Sequence, residues 1–350
     1  MNNCVRLLAN GVYFAEAVGS LRLKTLRWLT LSGFAILAAL AFLVTGTEAQ
    51  PGSVKLIVPG VWFREGDLEN LGHCNNTIIE MKDYLIVVDA NCPSGARLAL
   101  ETAQRISPKP VKYVFDTHHH GDHMYGNPIW TKAGATTLAY SGVVEEMKRF
   151  EPARWQATAK GRADVGDMHL DAPEPPQQTF DKSPFVIKDG SREVRFYFFG
   201  WAHTRGDGFV YLPGDQVLCT GDAAVNGPYN FTADANVGNW PKVVHAAQTL
   251  TTRYVLPGHG PSGGPEILEG QAKYMTELHK AVADAIKQGK TLEEVVPPGT
   301  ATVYGNVVPA KTTITLPANV KNWTGAFLPA QVRDTWEEIV QKKPHGDIPH

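Results

Sequence analysis

From residue 54 onward the chain is written in short apolar blocks whose period shifts between two and about 3.6. Residues 54–57 and 61–63 read as the first strands. Residues 77–81 and 84–88 are β-prone runs on either side of Lys82-Asp83 and predict a hairpin. Pro93–Ile106 carries apolar residues at helical spacing, with Ser94 as a candidate cap, and residues 111–115 form a buried strand. Strand, helix, strand in this order predicts a layered α/β (α+β) structure. A second helix is expected over 142–150, where Val143, Val144, Met147 and Phe150 share a face. Residues 153–180 are polar, proline-containing and weakly periodic, and read as a long loop or lid near the site. Strands return at 185–188, 194–199, 208–211 and 216–219. Helices follow at 240–250 and 265–287, the latter with Pro265 in its first turn, and a short strand lies at 254–256. After Gly289 the chain becomes rich in Thr, Val and Pro, then ends in a helix over 331–342. Residues 289–350 are therefore expected to be an extension packed on a domain of residues 54–288.

The first fifty residues follow another pattern. Arg22, Lys24 and Arg27 precede an uncharged apolar run from Trp28 to Val44, and small residues, Thr47 and Ala49, come after it. Residues 1–49 thus read as a secretory signal peptide cleaved after Ala49, with an uncleaved membrane anchor as the rival. Either way the catalytic part is expected outside the cytoplasm, periplasmic or secreted, and touching a membrane only through this segment. Residues 1–50 hold four basic and two acidic side chains, so the net charge of −2 becomes about −4 without them. Nothing here attracts a polyanion, which argues against a nucleic-acid partner. Cys74, Cys92 and Cys219 remain after Ala49. Cys74 and Cys92 flank the hairpin and leave a disulfide open, whereas Cys219 sits in an apolar run as a small hydrophobe.

The chemistry concentrates just after the strand at 111–115, in Thr117-His118-His119-His120-Gly121-Asp122-His123. Three imidazoles and a carboxylate in the six residues His118-x-His120-x-Asp122-His123 are hard to explain as packing, and suit a zinc-like divalent ion. His118 and His120 share a face in extended backbone, and Asp122 and His123 can turn toward a second point nearby.

This spacing resembles the metallo-β-lactamase-fold hydrolases. Gly200-Trp201-Ala202-His203-Thr204-Arg205-Gly206-Asp207 looks like the family's third-histidine loop, Cys219-Thr220-Gly221-Asp222 like its bridging-aspartate loop, and Val255-Leu256-Pro257-Gly258-His259-Gly260 like its last-histidine loop. The resemblance covers residues 54–287. It implies a four-layer αββα sandwich with the site at the edge where two sheets meet. It also implies two Zn2+ (iron or manganese being possible), one on His118, His120 and His203, the other on Asp122, His123 and His259, with Asp222 between. A metal-bridging hydroxide would then attack a small ester, lactone, thioester or amide, with Asp122 orienting it. Asp89, Thr117 and Thr204 are expected to brace the ligands, and Tyr125, Asn226 and Tyr229 to contact substrate. His119, at the motif's variable position, is not expected to bind metal. Asp222 stands where the β-lactamases themselves usually have Cys or Ser, which likens the site to the glyoxalase-II-type branch. The alternatives are a β-lactamase and, from another class, a mononuclear iron dioxygenase on the same fold, whose smaller ligand set the complete seven-residue set exceeds.

Overall fold

Neighbouring residues of the central strands are buried on opposite sides, and this sorts the chain into layers. The computed structural model describes residues 52–349; the apolar run of residues 28–44 and the junction at Ala49 lie outside the described residues. Seven strands form the first sheet in chain order: β1 (Val54–Val58), β2 (Val61–Arg64), β3 (Asn76–Glu80), β4 (Leu85–Val88), β5 (Val111–Asp116), β6 (Thr136–Tyr140) and β7 (Gln178–Phe180). Pairing is antiparallel from β1 to β4 and parallel from β4 to β7. Five strands form the second sheet: β8 (Phe185–Lys188), β9 (Glu193–Phe198), β10 (Gly208–Leu212), β11 (Val217–Gly221) and β12 (Tyr254–Pro257), ordered β12-β11-β10-β9-β8.

Ile79, Ile86, Val88 and Phe115 face inward and meet Phe196, Val210, Leu212 and Cys219 of the second sheet. Ile78, Leu85, Val87 and Val114, one residue away along the same strands, face outward onto Ala96, Ala99 and Ala103 of the helix Pro93–Ile106. On the other side Phe209, Tyr211 and Leu218 pack against the helices Trp240–Ala247 and Glu266–Lys287. Side chains alternate across a strand, so a sheet covered on both faces needs apolar residues at every position. That is the αββα sandwich.

Residues beyond 289 join this packing. Strands β13 (Thr300–Val303) and β14 (Asn306–Pro309) form a separate hairpin, and the helix Leu328–Gln341 buries Val332 and Trp336 in the cluster that holds Leu268 and Met275. The described residues fall within one compact unit.

Three stretches differ from the sequence expectation. Residues 153–180 are not one loop: they contain the helices Ala153–Gly161 and Ala163–Gly166 and the edge strand β7. The first of these helices buries only Trp155, so an apolar stripe is missing from its sequence. Strand β6 is short and was hidden between helices, and the β13–β14 hairpin turns on Tyr304-Gly305 with no Asn-Gly signature. Cys74, Cys92 and Cys219 are all buried and unpaired as disulfides, and Cys219 lies in β11. Among the described residues no helix is long and apolar enough to cross a membrane.

Candidate metal centre

Four loops at one edge of the sandwich carry the polar cluster. The first leaves β5 at Asp116, holds Thr117 to His120 in extended turns, and starts a one-turn helix, Gly121–Met124, that carries Asp122 and His123. The others follow β9 (His203), β11 (Asp222) and β12 (His259). The backbones are drawn close: a Cβ added to Gly258 would stand 2.1 Å from Asp222 Oδ1, so only glycine fits beside His259.

The structure brings all seven expected ligands together. His118, His120 and His203 offer nitrogens that lie within 4.8 Å of one another, and so do the ligand atoms of Asp122, His123 and His259. His120 Nδ1 is 3.0 Å from His203 Nε2. Asp222 lies between the groups, with Oδ1 3.4 Å from His123 Nε2 and Oδ2 3.3 Å from His259 Nε2 and 3.8 Å from His203 Nε2. Asp122 Oδ2 lies 3.1 Å from His259 Nε2.

Outward ring nitrogens are already engaged. His123 Nδ1 donates to Asp89 Oδ2 at 3.0 Å, His120 Nε2 to Asp234 Oδ2 at 2.8 Å, and His203 Nδ1 to the Phe231 carbonyl at 2.9 Å. These acceptors have no proton of their own to give, so they fix each tautomer and leave the inward nitrogen with its lone pair. His118 Nδ1 rests 3.1 Å from Thr117 Oγ1. The inward atoms His118 Nε2 and Asp222 Oδ1 are buried with no hydrogen-bond partner. Buried polar atoms are nearly always satisfied, so two orphans within one cluster of imidazoles and carboxylates fit the seat of an ion. The donor set, imidazole plus carboxylate, fits a zinc-like dication.

Electrostatics divides the centre into two poles. Burial, reinforced by the neighbouring imidazoles, pushes His118 well below the usual histidine range and His203 down to about 3. Around His123, burial opposes a charge but Cys74, Asp222, Asp122 and Asp89 outweigh it and push the ring well up. Burial is likewise outweighed at His259, which Asp222 and Asp122 raise to about 9. The carboxylates that would draw protons onto these two rings equally favour a dication between them.

Asp89 also accepts from the Thr117 amide at 2.8 Å, tying the hairpin end to the motif loop. Thr204 makes no hydrogen bond to a candidate ligand ring. Its hydroxyl and amide donate to Asp207 Oδ1 at 2.8 and 2.9 Å, while Asp207 Oδ2 takes the amides of Ala202 and His203. Asp207 is thus the residue that folds the His203 loop, and burial, countered by these hydrogen bonds, raises its carboxyl to about 7.

A cleft of about 430 Å³ opens over the centre, with His120, Asp122, Asp222 and His259 in its floor. Tyr229 lines it, with its ring 6.1 Å from that of His259. Tyr125 also reaches it, but its hydroxyl is spent on Glu151 at 2.7 Å. Asn226 does not line it: the side chain donates to the Pro261 carbonyl at 2.8 Å and serves the His259 loop instead. Sequence reasoning missed Asp234 and Arg154. The buried Asp234 takes the Arg154 guanidinium at 2.6 and 2.8 Å besides His120, and stands 3.3 Å from His119 Nε2. An isolated Asp in a polar loop gives no signal for this.

The family model of the metallo-beta-lactamase superfamily matches residues 70–264. A "Metallo-beta-lactamase type 2" of Bacteroides fragilis is 34% identical over 100 residues, which are 27% of this chain and 39% of that protein. The match therefore spans well under half of that relative's length. Among solved structures, a metallo-beta-lactamase from Pontibacter korlensis superposes with a TM-score of 0.54 at 21% identity, covering 64% of this chain and 98% of that one. The metallo-beta-lactamase FIM-1 from Pseudomonas aeruginosa, solved in a mono-zinc form, gives 0.52 at 24% identity, covering 66% and 97%. These two share the fold.

Proposed function

The chain belongs to the metallo-beta-lactamase superfamily, and from that premise we propose that it is a binuclear zinc-dependent hydrolase of a small ester, lactone, thioester or amide. One observation supports the reading: seven side chains of metal-ligating type from four loops converge, and the inward His118 Nε2 and Asp222 Oδ1 are buried without a hydrogen-bond partner. His118, His120 and His203 would hold one cation, Asp122, His123 and His259 the other, and Asp222 would reach both. When bound, such ions supply Lewis acidity and bring the pKa of water to about 7. The chain supplies the rest. Asp89, Asp234 and the Phe231 carbonyl orient the imidazoles. Asp122, about a quarter exposed at the cleft floor, turns one oxygen to His259 and presents the carboxylate as proton acceptor for the attacking water. Aromatic residues line part of the cleft and give it an apolar side.

The basic, apolar and small-residue order of residues 1–49 supports an exported, periplasmic or secreted, protein. The stretch 34% identical to a β-lactamase favours β-lactam hydrolysis as the second reading.

Metal analysis of purified protein, followed by a hydrolysis screen over esters, lactones, thioesters, phosphodiesters and nitrocefin, tests this. Two zincs per chain with cleavage of an ester-type bond supports it. Preferential cleavage of nitrocefin favours the second reading. One iron with oxygen uptake overturns both in favour of a dioxygenase.

A further inference from the structure

An unbroken arc of rings runs around the cleft from one candidate ligand to another. His259 is followed by Tyr229 at 6.1 Å between ring centroids, Tyr304 at 6.2 Å, Phe327 at 5.5 Å, Phe231 at 5.7 Å and finally His120 at 5.7 Å. All four non-ligand rings line the cleft. Tyr229 and Phe231 lie within the residues that the family model matches, and Tyr304 and Phe327 come from the segment beyond residue 264.

Tyr304 is held there under strain. It occupies the first position of the two-residue turn between β13 and β14, with φ of +45°, and Gly305 follows at +80°. Such turns require positive φ at both positions and favour Asn or Gly first, because a bulky side chain is disfavoured in the left-handed region. A Tyr there is poor turn chemistry. Strained residues of this kind concentrate at ligand clamps. The ring stands half-buried at the cleft, against Tyr229 and Phe327.

The opposite wall does not offer a free charge as the main selector. Arg154 is taken by Asp234 at 2.6 and 2.8 Å, and Arg162 by Asp164 at 3.0 and 3.1 Å. Each guanidinium has a carboxylate of its own, so discrimination falls to the apolar side.

We infer that the substrate carries a planar apolar group, an aryl or comparable ring, which lodges against the arc of Tyr229, Tyr304, Phe327 and Phe231 while the scissile bond lies over the metal ligands. Tyr304 is the specificity-determining residue. The inference rests on the hydrolase reading for the bond cleaved, but not for the ring bound.

Calorimetric binding of phenylacetate and acetate to the zinc-loaded full chain isolates the ring, because the two share their carboxylate. The wild type is expected to bind phenylacetate about tenfold or more tighter, as burying a phenyl group implies. Tyr304→Asn suits the turn and removes the ring, so the melting temperature should stay near the wild-type value while the ratio drops about fivefold. Val307→Ser, on the exposed side of the same hairpin at 73% exposure, should leave the ratio unchanged. Equal binding of the two acids by the wild type, or an unchanged ratio in Tyr304→Asn, overturns the inference. The same comparison made with kcat/KM for phenylacetyl and acetyl esters of one leaving group separates the two readings. Ring-dependent binding with no ester cleaved would keep the arc and remove the ester from the bonds proposed. Ester cleavage indifferent to the ring would keep the hydrolase and remove the arc.

Discussion

Asp234 Oδ2 lies 2.8 Å from His120 Nε2, although 114 residues separate them in the chain. The carboxylate is buried and also holds both terminal nitrogens of Arg154. Burial opposes its charge, but Arg154, His119 and His120 hold it well below the usual carboxylate range. It is therefore an anion locked against a ring that presents its other nitrogen to the metal centre.

Asp234→Ala should accordingly weaken metal binding at the His118, His120 and His203 group by roughly 10- to 100-fold, the usual cost of losing a partner behind a ligating histidine. Asp234→Asn keeps an oxygen for His120 and should lose less. Chelator competition with zinc measures this directly. Wild-type affinity in Asp234→Ala would show that the His120 ring is held by packing alone.

Asp122 separates metal binding from folding. It sits on the one-turn helix after the motif loop, is about a quarter exposed, and pairs with His259 and His123. Asp122→Ala should leave the far-ultraviolet spectrum unchanged and lower the zinc content from two per chain to one. No substrate of the wild type should be turned over. Two zincs in the variant, or residual turnover near the wild-type rate, would remove Asp122 from the proposed ligand set.

The central fold was legible because the strands are covered on both faces and so read as uninterrupted apolar runs. The candidate ligands were legible because four of them fall within the six residues from His118 to His123 and the other loops follow strands in a fixed order. The residues behind them were not. Asp234 and Arg154 act at distances of 80 to 114 positions in sequence, and neither sits in a patterned segment. The helix carrying Arg154 turns one Trp inward and leaves the rest to solvent or the cleft, so its polarity looks like a loop. The Tyr304 hairpin defies turn chemistry, and local rules break at such sites because tertiary contacts outweigh them.

Glu338 is the lever by which the C-terminal helix holds the loop of Asp234. Its carboxylate accepts from the amides of Val237 and Gly238 at 2.9 and 2.7 Å and of His345 at 3.1 Å. Glu338→Ala strands three amides that are buried or nearly so. Each stranded donor costs about 1–3 kcal/mol, and with partial relaxation roughly 2–4 kcal/mol in total is expected in urea unfolding. Zinc affinity should fall as well, because the loop positions Asp234. A loss of stability with unchanged zinc affinity would show that the loop keeps its shape without this anchor.

His73 gives the protein a pH-dependent stability away from the metal ligands. Its ring is buried, with Nε2 2.8 Å from Ser94 Oγ. Burial, then Arg64 and Arg162, push its pKa from the ordinary 6.5 down to about 4, with Asp164 and Asp67 opposing. Between these values the unfolded chain binds a proton that the folded chain refuses, so stability rises with pH through the window. The contribution is whole above about pH 6.5 and is lost as pH falls toward 4. His73→Gln keeps a polar group for Ser94 and cannot titrate. Between pH 7 and pH 4 the wild type should lose about 2 kcal/mol more than this variant, the metal ligands' own titration being common to both. Urea unfolding of the two zinc-loaded proteins across that range reads the difference, and parallel curves would mean that His73 keeps its ordinary affinity for a proton in the fold.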